Sequence, residues 1–187
     1  MSEVLSTFEP EQVRSFTRSE YAQMIGLGLF EGERVELIRG LLVKMSPQYP
    51  PHASTIQRLN KLFMKRLEDR FEVRIQLPLA LSDDSEPEPD VAVVALGDYE
   101  DEHPTTARLV IEISDSTLKQ DRIKTGLYAS AGIVECWIVN LGARTVEVYS
   151  SPDGDRYAEF RTLRAGDTLH PAGLDVAIAV AEILPKA

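Results

Sequence analysis

The sequence predicts a mixed α/β (α+β) domain: a central β-sheet flanked by helices and preceded by an N-terminal helix and a β-hairpin. Three observations predict it. Short apolar runs alternate with the period of a strand, two longer stretches repeat their apolar residues at helical spacing, and turn residues separate the two kinds of segment. Thr17 and Glu20 stand three apart ahead of Tyr21, Met24 and Ile25, the pattern of a capping box that starts a helix ended by Gly26 and Gly28. Residues 34–38 and 41–45 flank Arg39-Gly40, a two-residue connection that suits a hairpin.

After the turn at Pro47 to Pro51, Ile56, Leu59, Phe63 and Leu67 form a helical stripe, with Arg58, Lys61, Lys65 and Arg66 mainly off it. Val73, Ile75 and Leu77 alternate as a strand, residues 91–96 form an apolar strand, and Leu109, Ile111 and Ile113 alternate with Val110, Glu112 and Ser114. Between them the acidic, proline-bearing stretch from Ser82 to Pro89 reads as a loop delivering a strand. A second helix is predicted from Ser116 through Leu118, Ile123, Leu127 and Tyr128, with Gly132 as its C-terminal cap. Strands follow at 135–140, 145–149 and 157–160, the last two joined by a turn at Ser151-Pro152-Asp153-Gly154.

With 187 residues, 43% hydrophobic and 27% charged, the chain has the composition of a folded protein and the length of one domain, 1–187. Residues 1–14 are expected to be a loosely ordered N-terminal segment. No apolar run approaches the roughly 20 residues that cross a bilayer, and Met1 to Pro10 carries acids where a signal peptide is basic. The expectation is a cytoplasmic protein without a membrane partner. The only cysteine, Cys136, lies in an apolar strand-like run, which excludes an internal disulfide framework and a cysteine zinc cluster and predicts a buried, inert thiol. A net charge of -10 and a pI near 4.8 repel phosphates in the mean field, so tight non-specific duplex binding is not expected. A metal bound to carboxylates reverses that sign locally.

Two acids stand out. Glu112 interrupts an apolar strand, and a buried carboxylate must find a cation or shift its pKa. Asp90 opens the preceding apolar strand directly after Glu86-Pro87-Glu88-Pro89, and the stretch between the two suits neighbouring strands joined by a polar loop. If those strands pair, the carboxylates meet, and hard oxygen ligands at one point select Mg²⁺ or Mn²⁺. For either acid alone, an exposed or salt-bridged residue at a strand mouth is the competing reading.

Pro89-Asp90 followed by Glu112 on the next strand resembles the signature of the PD-(D/E)xK nucleases, and the chain as a whole resembles the Uma2 family of restriction-endonuclease-like proteins. The likeness runs through residues 34–40, Ser46-Pro47 with His52, residues 85–94, residues 109–114, and Asp121-Arg122 with Lys124 before Leu127-Tyr128-Ala129. Ala131-Gly132-Ile133 leading to Trp137-Ile138-Val139 completes it. The resemblance implies a restriction-endonuclease-like core and a Mg²⁺- or Mn²⁺-dependent endonuclease acting on nucleic acid, DNA first. The chain departs from the signature at Ser114, where the lysine two residues after Glu112 should stand. In Uma2-like sequences the following helix supplies it; Lys124 matches that position and Lys119 is the alternative.

The resemblance therefore implies catalytic Asp90, Glu112 and Lys124, with Asp90, Glu112 and the carbonyl of Ile113 as metal ligands. Glu36 of the hairpin is a further candidate ligand, with a surface strand acid as its alternative. His52 and Gln76 are candidate substrate contacts, and His52 is also read as a residue that starts and caps its helix. The basic side of that helix is either a phosphate-tracking surface or a solvated face. Homodimerisation is compatible with cutting two strands. The competing function is a catalytically inactive nuclease-fold module that binds nucleic acid or a protein partner, supported by the acidic charge and by Ser114.

Overall fold

Helix formation begins where the sequence first supplies a cap. The Thr17 hydroxyl accepts from the Glu20 N–H at 3.2 Å and the Glu20 carboxylate accepts from the Thr17 N–H at 3.0 Å, closing the expected capping box. Helix α1 (Arg18–Gly26) follows. The computed structural model describes residues 13–185, so most of the N-terminal segment expected to be loosely ordered lies outside the described residues. Its backbone groups into two units, one of residues 13–46 with 82–87 and one of residues 47–81 with 88–185.

In the first unit, α1 buries Tyr21, whose hydroxyl donates to the Val35 carbonyl at 2.6 Å. Strands β1 (Val35–Ile38) and β2 (Leu41–Lys44) pair antiparallel around Arg39-Gly40, and both turn residues have positive φ, +49° and +75°, as a tight hairpin turn of matching twist requires. Glycine at 40 is also a matter of space: a Cβ there would stand 2.3 Å from the Ser15 Cβ. The acidic stretch 82–87 packs on this hairpin. Glu86 N–H donates to the Leu37 carbonyl, Gly40 N–H to the Asp84 carbonyl, and Glu86 pairs with Arg18 at 3.0 Å. Instead of a plain loop, the stretch is a third edge for the hairpin.

The second unit is built on six strands: β3 (Glu72–Ile75), β4 (Val91–Val94), β5 (Leu109–Ser114), β6 (Glu135–Asn140), β7 (Thr145–Asp153) and β8 (Arg156–Leu163). They pair in sequence order, all antiparallel except β5 with β6. That parallel pair needs a crossover, and helix α3 (Leu118–Ser130) provides it. Helix α2 (Pro50–Leu67) starts on two prolines, which cost nothing in a first turn whose N–H groups have no helical partner. Its stripe of Ile56, Leu59, Phe63 and Leu67 packs on one face of the sheet with Val91, Val93, Leu109, Ile111, Ile113 and Trp137. The other face buries Ala92, Val94, Val110 and Cys136 with Tyr128 of α3. A short pair, β9 (Thr168–Leu169) and β10 (Ile178–Ala179), and helix α4 (Val180–Ile183) extend the first face.

The structure departs from the sequence reading at several places. Strand β3 ends at Ile75 because Gln76 takes φ +51°, which leaves Leu77 44% exposed outside the strand. Strand β4 stops at Val94, short of the exposed Leu96. Strand β7 continues to Asp153, with a kink taken up by Ser151 at φ +61°, and the chain reverses at Gly154-Asp155, later than the predicted turn. On α3, Ile123 is 61% exposed, while Asp121 is buried. The helix thus turns an acid, not the isoleucine, toward the protein. Cys136 is buried as expected, and burial pushes its thiol well above the usual range.

Candidate active site

Antiparallel pairing of β4 with β5 matches Val91 with Ile111, and extending that register by one residue sets Asp90 beside Glu112. Residues directly opposite in such a pair share a sheet face. Asp90 is 8% exposed and Glu112 4%. A carboxylate at that depth needs partners, and each acid has them. The Ile113 N–H donates to Asp90 Oδ2 at 2.8 Å and the Gln76 carboxamide to Asp90 Oδ1 at 3.0 Å. His52 Nε2 stands 3.0 Å from Asp90 Oδ2. Glu112 Oε1 accepts from Lys124 Nζ at 3.2 Å and from the Tyr128 hydroxyl at 2.5 Å.

Each partner is delivered by a local feature already described. Gln76 reaches Asp90 because its left-handed backbone ends β3 there, and its N–H also donates to the Asp90 carbonyl. His52 comes from the first turn of α2. It does not cap that helix: the N-cap is Tyr49 and no side chain bonds the free N–H groups. Burial lowers the pKa of His52, but the Asp90 hydrogen bond and the charges of Asp90, Glu112 and Asp121 outweigh it, so the imidazole sits above its ordinary 6.5. Its Nδ1 is buried and has no hydrogen-bond partner.

Lys124 and Tyr128 share a face of α3 at i and i+4, and Asp121 stands one turn earlier on it. Sequence reasoning gave Asp121 and Tyr128 no role of their own, although their spacing with Lys124, three and four residues, marks one helical face. Asp121 accepts from the Thr117 hydroxyl at 2.6 Å. Burial raises its pKa, and the Thr117 bond and the Lys124 charge offset that only in part. The Ser114 hydroxyl lies close enough to Asp121 to ease its charge, yet it makes no hydrogen bond of normal geometry and is fully buried. Lys119, the alternative source of the site lysine, is exposed. Glu36 is buried on β1, in the other unit.

The donor set is of the right chemistry for a small hard cation. Mg²⁺ is held in proteins by one or two carboxylates with water in the remaining positions. Among the described residues no group of three or more His, Cys, Asp or Glu is placed to hold a metal ion, so a two-carboxylate site supplemented by water and main-chain oxygen is what these residues fit.

A family profile described as "putative restriction endonuclease", Uma2, matches residues 18–181. The chain belongs to the Uma2 family. A crystal structure described as that of a "putative nuclease belonging to DUF820" from Anabaena variabilis is similar to it with a TM-score of 0.64 at 14% identity, covering 80% of this chain and 88% of that one. No curated protein matches the chain. The family is thus one of nucleases and the Uma2 chain has a nuclease fold, with β4 and β5 carrying the two acids. No helix among the described residues is long and apolar enough to cross a membrane.

Proposed function

We propose that this Uma2 protein is a Mg²⁺- or Mn²⁺-dependent endonuclease that hydrolyses phosphodiester bonds, in DNA first, at a single restriction-endonuclease-like domain acting in the cytoplasm. The observation that carries the reading is the β4–β5 register that pairs Asp90 with Glu112, with Lys124 supplying beside Glu112 the ammonium absent at Ser114. Asp90, Glu112 and the carbonyl of Ile113 would hold a divalent ion, which would supply a water of lowered pKa and offset charge growing on the phosphate. Lys124 keeps a compact positive charge beside Glu112, where it orients the attacking oxygen and stabilises the developing negative charge. Gln76 and His52 hold the Asp90 carboxylate in one orientation. His52 and Gln76, both bonded to Asp90, are the candidate contacts for a substrate phosphate or a metal-bound water.

The basic side of α2 contributes less to nucleic-acid binding than its composition suggests. Arg58 donates to the Leu184 carbonyl at 2.7 Å, and Arg66 binds Glu182 through both carboxylate oxygens and the Ala177 carbonyl. Lys61 and Lys65 remain exposed for a phosphate backbone. The competing reading, a nuclease-fold module without catalysis, is favoured by one observation: Asp90 and Glu112 each already have a partner from this chain, the His52 imidazole and the Lys124 ammonium.

Two measurements separate the readings. Cleavage of plasmid, single-stranded and branched DNA is assayed with Mg²⁺ and with Mn²⁺; activity lost in both Asp90→Ala and Glu112→Ala, with folding intact, supports the endonuclease. Calorimetric titration with Mn²⁺ is the second. A site that disappears on Asp90→Ala supports the metal enzyme, and no site in the wild type supports the module.

A further inference from the structure

Strand β8 (Arg156–Leu163) is the last of the six-stranded sheet, and among the described residues no strand pairs with its outer edge. Most of it is exposed, including Phe160 at 54%. Such an edge presents main-chain donors and acceptors that template another strand, so a protein must shield it or use it. Strand alternation sets Glu159, Arg161 and Leu163 on one side and Phe160 and Thr162 on the other, and Tyr157, level with the kink at Ser151 of β7, joins Phe160 in packing on Tyr149. Glu159 already takes a hydrogen bond from Ser150 of β7 at 3.2 Å, which fixes its carboxylate on that side of the sheet.

We infer that β8 is the surface on which two copies of this chain associate, antiparallel, about a two-fold axis through Phe160. A two-fold interface is self-complementary: when residue i meets residue j, j also meets i. Centred on Phe160, the pairing sets Glu159 opposite Arg161 twice and Phe160 opposite itself, with Ala158 level with Thr162. Opposite charges and an aromatic pair are thereby matched at the centre of the strand. A centre one residue earlier sets Glu159 against Glu159, and one residue later sets Arg161 against Arg161, and both repel. A centre between residues would match an outward-bonding residue with an inward-bonding one, which an antiparallel ladder does not allow. Of these registers, the one centred on Phe160 alone sets the opposite charges of Glu159 and Arg161 against each other.

Arg156 faces Arg164 at the two ends of this ladder, where Arg164 lies beyond the strand and solvent screens the repulsion. One strand pair buries less than the roughly 1,200–2,000 Å² of a standard stable interface, so the dimer is concentration-dependent. The inference goes beyond the nuclease reading and does not rest on it.

Sedimentation velocity on the full chain from about 1 to 100 μM reads the equilibrium directly. The expected result is a dimer that grows in with concentration. Glu159→Arg and Arg161→Glu, made singly, each raise its dissociation constant by about tenfold or more, while the double variant, in which the charges are exchanged, recovers the wild-type value. Phe160→Cys cross-links to a disulfide dimer on oxidation, because the chain's own Cys136 is fully buried and residues opposite one another on paired strands are within disulfide reach. Circular dichroism checks that each variant is folded. A wild type that stays monomeric throughout, whether or not the edge takes up a strand from another protein, overturns the inference. So do single charge variants that dimerise like the wild type, or a dimer whose Phe160→Cys form does not cross-link.

Discussion

Helix α3 delivers two basic side chains to two buried acids, and the two meetings differ. Glu112 and Glu147 lie in one row across the sheet, each matched in register with Ile138 between them. At Glu147 the Arg122 guanidinium bonds both carboxylate oxygens, at 3.0 and 2.5 Å, and the Tyr149 hydroxyl adds a third bond at 2.8 Å. Burial would raise the pKa of Glu147, but these partners outweigh it and hold it below the usual carboxylate value. At Glu112 the Lys124 ammonium and the Tyr128 hydroxyl converge on one oxygen, Oε1. Nearby stand Asp90, an Asp121 whose carboxyl is pushed up, and the Ser114 hydroxyl with no normal bond. A planar fork saturates an acid and locks it, whereas a point charge on a flexible stem leaves it able to take another partner. The first pair fastens α3 to the sheet, and the second has the composition of a site.

Exchanging the roles of the two pairs is the strongest way to break that comparison. Lys124→Ala removes the charge proposed to act on the phosphate, and cleavage should fall by about 100-fold or more, the usual loss when one such electrostatic stabiliser is deleted. Its stability should fall as well, because the buried Glu112 loses its cation, so cleavage per folded molecule is the readout that separates the pairs. Arg122→Ala should leave that cleavage unchanged while lowering stability by about 1–3 kcal/mol through the weakened satisfaction of Glu147. Arg122 is 51% exposed, which keeps the loss below that of a wholly buried pair. If both variants lose stability and keep activity, Lys124 is a second fastening and the site assignment falls. Tyr128→Phe tests a smaller difference: it removes one bond to a charged acceptor while Lys124 stays, so about 1 kcal/mol of stability should be lost, with Mn²⁺ affinity at Glu112 as the readout that a purely structural tyrosine would not change.

How much of this was legible depends on what decided each element. The capping box at Thr17 and Glu20, the Arg39-Gly40 hairpin and the Ile56–Leu67 stripe are local patterns, and local patterns survive in the folded chain. Asp90 and Glu112 were visible because one opens an apolar run and the other interrupts one, and the β4–β5 register then set them side by side. The misreadings arose where long-range packing overrode local pattern. Leu77 has the spacing of a strand residue, but β3 ends two residues before it, where Gln76 turns to bond Asp90. Ile123 has the hydrophobicity of a core residue, but the face of α3 that meets the sheet end carries Asp121, Lys124 and Tyr128. Arg58 and Arg66 look like a free basic surface until the C-terminal segment arrives to bind them.

The finest test of the comparison is the pH dependence of stability, where Glu147 and Asp121 should act with opposite signs. Glu147 has a lowered folded pKa, so the folded chain releases its proton more readily than the unfolded one. Its contribution is present above the unfolded value of 4.5 and is lost as pH falls through the lower folded value. Asp121 has a raised folded pKa, so the folded chain holds its proton longer, and a cost appears as pH rises from 3.8 through the raised value. Urea midpoints of the metal-free protein between about pH 3 and pH 8 resolve the two. Relative to wild type, Glu147→Gln should be destabilised above pH 4.5 and should approach wild type in acid. Asp121→Asn, which keeps an oxygen for the Thr117 hydroxyl, should gain on wild type as pH rises past 3.8 and level off above the folded pKa. An Asp121→Asn variant that loses ground over that range would mean that the carboxylate is stabilised where it sits, and the contrast between Glu147 and Asp121 would disappear.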